Sequence, residues 1–253
     1  MSIYLSGLLW VAGAAAVAGF GAYLIRRLGS AEGTVENNDA AGQVFTLVGG
    51  LQAVLVAFVL ISLFDDAAAA EDGSYTEADS IVAAVWAAEA FPDQTQAEIT
   101  DQARRYALTV IDEEWPRMRE GAEVSDQGWQ ELSDLRSLVS GAPASDEWSI
   151  DQKNEASDQL WAAYQARQDR LNTAAGGGVN PVVWFALVAG AVMSLGLPLL
   201  FGGPRPATHI VIVATLAATM TLLLFATYQL QNPYGGSAEV DPTAFVAALD
   251  RLR

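Results

Sequence analysis

Residues 42–64 read GQVFTLVGGLQAVLVAFVLISLF, and the rest of the chain takes its meaning from this run. The segment carries no charge and exceeds the roughly 20 apolar residues that a helix needs to cross a bilayer. Gly49, Ala53 and Ala57 recur every fourth residue, a small-residue stripe that lets another helix backbone come close. A second stripe, Phe45, Val48, Gln52, Val59, Ser62 and Asp66, falls on one helical face by angular count. It places an amide near mid-membrane. Facing lipid, that amide would lack hydrogen-bond partners, so Gln52 is expected to face a neighbouring helix, another subunit or a water-filled passage.

Working outward, residues 3–25 form a first apolar run ending at Arg26 and Arg27, with Ala14, Ala18 and Ala22 as its own close-packing stripe. It lacks a basic lead-in and is too long for a signal-peptide core, so an uncleaved membrane helix is expected. Asn37, Asn38 and Asp39 supply capping side chains ahead of the second span. Residues 179–201 form a third span, with Pro181 allowed in its first turn and Pro198 expected to bend its far end. After a tight loop at 202–208 comes a fourth span at 209–230. An even number of crossings puts both termini and the central segment on one side. Arg26, Arg27 and Arg205 favour the short loops as cytoplasmic, whereas Arg167, Arg170, Arg251 and Arg253 pull the other way.

Between the second and third spans the composition changes. Residues 65–178 carry 24 Asp and Glu against 8 Lys and Arg, nearly the whole formal charge of −17. So acidic a segment repels phosphate, and nucleic-acid binding is excluded. Lysine occurs once, at Lys153, while arginine is frequent, a pattern of salt-adapted or GC-rich prokaryotic proteomes, so the acidity can report habitat. Helical spacing continues past Phe64 through Ile81, Val82, Val85 and Trp86, with Gly73 a candidate break. A helix through Ile99, Ala103, Tyr106 and Val110 should kink or end at Pro116. A shorter one carries Trp129, Leu132, Leu135 and Val139, and a fourth, capped by Ser145 or Asp146, carries Trp148, Leu160, Trp161, Tyr164 and Leu171. No strand signal stands out. The expected fold is an all-α membrane protein with four transmembrane helices and a helical soluble domain inserted between the second and third. Its parts are a hairpin at 1–65, the acidic domain at 66–178, a hairpin at 179–230 and a tail at 231–253 with a short amphipathic helix. Burial of Trp86, Trp115, Trp129, Trp148 and Trp161 is expected to hold the acidic bundle together.

The absence of cysteine removes disulfides, thiolate metal sites and thiol catalysis. The one histidine, His209, stands where a span begins and is expected to be interfacial and partly solvated. There is no phosphate-binding loop, dinucleotide fingerprint or nucleophile elbow, so no enzymatic activity and no cofactor are expected. Glu113 and Glu114 fall short of a calcium shell and read as a structural ion pair with Arg167 or Arg170. Glu239 and Asp241 in the tail leave open a cation clasp, calcium included, against the default of a solvated turn.

Several motifs, taken in order, resemble the prokaryotic bestrophin-like family: residues 37–42 (NNDAAG), the run 49–58, Glu114-Trp115-Pro116, Arg167 with Arg170-Leu171, Pro181 with Trp184, and residues 232–235 (NPYG). The resemblance covers nearly the whole chain. It departs from the family at Gln52, where an aromatic is usual, and at Tyr234, where Phe is usual. Through its name the family implies a remoter relation to bestrophins, pentameric anion channels with four membrane helices and a helical cytosolic portion between the second and third. Their Asn-Pro-Phe-Gly sequence precedes an acidic calcium clasp, whereas here only Glu239 and Asp241 follow. The resemblance implies a multi-pass protein of the cell membrane with its central domain cytoplasmic.

Two functions stay open. One is a homo-oligomeric ion channel, a pentamer by resemblance, passing inorganic ions along a pore lined by Phe45, Val48, Gln52, Val59, Ser62, Asp65 and Asp66. A strongly negative vestibule depletes anions, so cation passage is open as well. The other is a non-conducting, membrane-anchored helical module whose soluble bundle binds a partner or senses a condition. It needs nothing from the glycines and alanines but helix packing.

Overall fold

The computed structural model describes residues 3–28, 38–176, 178–200, 206–236 and 239–253. Asn37 as a cap, Gly177 within the triple-glycine hinge, and Arg205 with the rest of the 202–205 loop lie outside the described residues, as do the side chains of Arg26, Asn38 and Asp39. All regular structure among the described residues is helical. The helices are α1 (Ile3–Leu28), α2 (Asn38–Ala87), α3 (Asp93–Thr109), α4 (Trp115–Glu120), α5 (Gln127–Gly141), α6 (Glu147–Gly176), α7 (Pro181–Leu200), α8 (Pro206–Leu230) and α9 (Thr243–Arg251). The chain divides into two compact units: Met1–Leu63 with Gly178–Gln231, and Phe64–Gly177 with Asn232–Arg253.

Among the described residues four helices, α1, α2, α7 and α8, are long and apolar enough to cross a membrane, and the first unit holds α1, α7, α8 and α2 as far as Leu63. Helix α1 lies along α8; of its small-residue stripe Ala22 is buried and Ala14 and Ala18 are half-buried, and beside the stripe Gly19 is buried close to Ile210 and Ala214. Asn180 caps α7 by accepting from the Val182 N–H at 2.9 Å, and Pro181 takes the first helical position, where a missing N–H costs nothing. His209, expected to be partly solvated, is buried.

Helix α2 runs for 50 residues without a break at Gly73. Gly73 does not adopt positive φ, and the Ser74 hydroxyl donates to the Ala70 carbonyl at 2.7 Å, so the helix proceeds past its weakest former. From Phe64 onward α2 belongs to the second unit. There it packs with α3, α5, α6 and α9 around one apolar core that includes Ile81, Ile99, Tyr106, Trp115, Leu135, Leu160 and Phe245.

Helical structure continues through Pro116, with α3 passing through a π-helical turn into α4. Lacking an N–H, proline cannot bond to the carbonyl four residues back, and the backbone widens ahead of it into a π-helical turn over Val110–Glu114. The Trp115 N–H closes that turn on the Val110 carbonyl, five residues back. The added residue rotates Glu114 and Trp115 into the core while Glu113 stays exposed. Helix α6 opens as expected on Asp146: its carboxylate accepts from the Ser149 N–H at 3.0 Å while the Ser149 hydroxyl accepts from the Asp146 N–H.

The expectation of five buried tryptophans holds only in part. Trp115 is fully buried and Trp129 half-buried, whereas Trp86, Trp148 and Trp161 are more than half exposed. Alanines 78, 84, 88, 103, 107, 156 and 163 fill the space between helices, so the core closes on small side chains. The tail packs into the second unit through Tyr234, Ala244, Phe245 and Ala248.

Candidate functional site

In the first unit the stripe expected to line a pore is largely the packed face of α2. Gln52 is 4% exposed, and its side-chain amide donates to the Leu187 carbonyl of α7 at 3.0 Å. The approach is so close that a Cβ on Gly190 would lie 1.9 Å from Gln52 Oε1, so any larger residue there would have to displace the amide. Val56 and Leu63 are buried on this same face, and Phe45, Val48 and Val59 are half-buried. The physical reason is the one that made Gln52 conspicuous: an amide in an apolar setting goes where it can hydrogen-bond, and a helix carbonyl accepts it. Ser62, Asp65 and Asp66 are exposed and do not share that packing.

The opposite face of α2 carries Leu47, Gly50, Val54, Phe58 and Ile61, all exposed, with open space around Gly49 and Gly50. Ala53 and Ala57 are exposed too and Gly49 is half-buried, so among the described residues no helix packs closely on the small-residue stripe of α2. Apolar periodicity alone did not separate these faces, because both are uncharged.

In the second unit the π turn builds a buried cluster of four charges. Arg167 grips Glu114 with two bonds, Nη1 to Oε2 at 2.9 Å and Nη2 to Oε1 at 2.5 Å. Arg170 holds Glu77 of α2 through Nε at 2.7 Å and Nη2 at 3.0 Å, and reaches Glu114 Oε2 at 2.9 Å. The Tyr106 hydroxyl donates to Glu77 and accepts from Arg167. All four charged side chains are fully buried. The arrangement is stoichiometric, two guanidiniums to two carboxylates, which is how so acidic a unit can bury charge at all.

Rings close the cluster: the Arg167 guanidinium lies 4.6 Å from the Trp129 ring centre, and Arg170 lies 5.6 Å from both Trp115 and Phe245. Gly128 of α5 passes directly over it, since a Cβ there would sit 2.2 Å from Glu114 Oε1. Burial by itself would raise the Glu114 carboxyl, but the bond from Arg167 and the two positive charges hold it below the usual carboxylate range. Burial, reinforced by Glu77, pushes Tyr106 well above the ordinary phenol value, so it stays a donor. The expected ion pair of Glu114 with one arginine is thus made with both.

The tail carboxylates are engaged. Arg119 pairs with Glu239 and with Asp241, the latter at 2.7 Å, so a guanidinium occupies the place that a cation clasp would need. Among the described residues no group of three or more carboxylates or histidines is arranged to hold a metal ion. Around this clamp the tail is fastened by backbone groups: Trp115 Nε1 donates to the Val240 carbonyl at 2.9 Å, and Asn232 donates to the Met118 carbonyl at 3.1 Å. The 232–235 motif therefore works as a clip onto α4. Sequence reasoning missed Glu77 and Tyr106 as partners of the arginines; a glutamate on the inward face of a long helix was the available signal.

A model of the bestrophin-like domain matches residues 12–245. The chain belongs to the bestrophin-like family. Two crystal structures are similar in fold, one of a bacterial bestrophin homologue from Klebsiella pneumoniae and one described as a membrane protein, each solved as a point variant. Each is 13% identical, with a TM-score of 0.70 over 100% of this chain and 98% of the other. No curated protein matches the chain. This bestrophin-like chain is therefore a membrane protein with the fold of a bestrophin homologue.

Proposed function

We propose that this protein is an oligomeric ion channel, not an enzyme, in which copies of α2 surround a pore with the outward face of the helix. The carrying observation is that face itself: Leu47, Gly50, Val54, Phe58 and Ile61 are exposed among the described residues, while the polar Gln52 is turned the other way. Family membership and the shared fold support the reading. An apolar constriction with few strong ligands suits conduction, because an ion must bind weakly enough to leave. Closed rotational symmetry makes such a path from one repeated helix, and the pentameric number follows the resemblance to bestrophins.

Of the polar residues beyond the constriction, Asp65 falls by angular count with Val54, Phe58 and Ile61, whereas Ser62 and Asp66 share the face of Gln52. Repeated around an axis, Asp65 forms a ring of negative charge that favours cations, and Asp66 adds to the negative field around it. Flux in liposomes containing the purified protein tests the reading. Flux is expected, with reduced anion exclusion when Asp65 and Asp66 are both changed to Asn. Phe58→Ala should widen the path and raise flux, whereas Gln52→Leu should leave selectivity unchanged. A parent protein that carries no current and runs as a monomer would favour the non-conducting anchored module, which the satisfied Gln52 also suits.

A further inference from the structure

A groove of about 690 Å³ runs along α1 in the first unit, against α7 and α8. Trp10 and Val17 of α1 stand beside the small Gly13 and Ala14, and Leu195 of α7 and Ala217 of α8 line the other side. Apart from the Ser6 hydroxyl and the Trp10 indole N–H, the lining is apolar. A groove of that chemistry on a membrane span offers water too few partners, so hydrocarbon is the filling that suits it. Trp10 and Val17 are more than half exposed, so the groove opens away from the protomer.

Charge narrows the occupant. Ser6, Gly13, Phe20 and Arg27 recur every seventh residue, so by helical count they follow one slowly turning line along α1. Ser6 and Gly13 line the groove, and Arg27 ends the line as an exposed cation. Its Nη1 donates to the Tyr23 hydroxyl at 3.2 Å, its guanidinium lies 6.0 Å from the centre of that ring, and Phe20 stacks on the same tyrosine at 6.4 Å. Tyr23 thus steadies the cation at the end of the span. At the helical rise, Gly13 to Arg27 is ~21 Å, about half of a bilayer of 40–45 Å with its headgroups and therefore the length of one lipid. Arg26 adds a second cation next in sequence, and α1 contains no carboxylate to balance either. A zwitterionic headgroup neutralises its own phosphate, whereas an anionic one leaves a charge for Arg27 to meet. We propose that the groove holds one acyl chain of an anionic phospholipid, with the phosphate on Arg27 and the chain passing Val17 and Ala14 to Gly13. No residue of α2 lines the groove, so the inference stands apart from the channel reading.

The full-length protein in detergent is titrated with dioleoyl phosphatidylglycerol and, separately, with dioleoyl phosphatidylcholine, and binding is read from thermal unfolding and from lipid retained in native mass measurement. A saturable rise in Tm is expected with both, at a half-saturating concentration about fivefold lower for phosphatidylglycerol, the factor one arginine contributes toward an anionic lipid. Arg27→Gln should bring the two lipids together without abolishing the response to either. Gly13→Leu should abolish the response to both; nothing lies within 4 Å of a Cβ at Gly13, so the leucine enters the groove and leaves the helix packing intact. The proposal is overturned if the parent binds the two lipids equally or not at all, if Arg27→Gln keeps the preference, or if Gly13→Leu responds like the parent. A Gly13→Leu protein with a smaller oligomeric mass than the parent would overturn it as well, because a helix of a neighbouring copy would then be the occupant.

Discussion

Both units of this protein bury a polar side chain beneath a glycine, and they do it on different scales. In the first, Gly190 admits the Gln52 amide to one carbonyl. In the second, Gly128 covers Glu114 and Arg167 in a cluster of four charges and a phenol. A helix surrounded by lipid has cheap neutral packing and costly charge, so one amide bond suffices there. The acidic unit has an apolar core of its own around Trp115, Tyr106, Ile99, Leu135 and Phe245, and within it ion pairs join α2, α6 and the π turn directionally. Whether such pairs add net stability or chiefly specify the packing is what mutation of each partner separates.

The largest effect is expected from breaking the charge balance. Arg167→Met leaves Glu114 with Arg170 alone, in a buried site, and should destabilise the second unit by about 3–5 kcal/mol. Gly128→Ala should approach that loss, since its Cβ collides with the paired groups themselves. Urea unfolding followed by tryptophan fluorescence measures both. A loss below about 1 kcal/mol for Arg167→Met would mean that the cluster is not a structural keystone.

Acid should act next, and only on the second unit. The Glu114 carboxyl titrates below its ordinary value in the folded state, so its contribution is complete above the unfolded pKa of about 4.3 and is lost as pH falls further through the lowered folded value. Loss of helical signal below about pH 4 is expected from the parent. Glu114→Gln should flatten that dependence while starting from a lower stability. An unchanged acid profile in the variant would assign the transition to other carboxylates.

Tryptophan substitutions sharpen the comparison at smaller cost. Trp115→Ala should cost about 3–5 kcal/mol, but Trp161→Ala less than about 1, because Trp161 is more than half exposed and stacks only on Tyr164. Equal losses would place Trp161 in an interface that the protomer alone does not contain. The same contrast marks what could be read from the chain. Spans, caps and the helical character of the acidic segment follow from run length, period and capping residues, which are local signals. Which tryptophans are buried depends on how α5 and α6 rotate about their axes, and the alanine-rich faces give no strong preference. Gln52 was legible as a group needing a partner, but the choice of α7 over a pore turned on Gly190, 138 positions away. The π turn was legible only as trouble at Pro116. Its consequence, that Glu114 turns inward, is three-dimensional.

The smallest expected effect tests the membrane half of the comparison. Gln52→Leu removes one side-chain bond to a carbonyl, and hydrogen bonds between membrane helices are worth about 0.6 kcal/mol on average. The single substitution is therefore a weak probe, and a cycle with Gly190 is stronger. Gly190→Ala in the parent drives a methyl into the Gln52 amide and should cost about 1–3 kcal/mol, as overpacking does. With Gln52→Ala the obstructing amide is gone, and the same Gly190→Ala change should cost little or even stabilise α7 through its better helix propensity. The coupling, read as thermal unfolding in detergent, is expected to be about 1 kcal/mol or more. Additive effects would mean that the two positions do not touch, and Gln52 would then be available to face a pore after all.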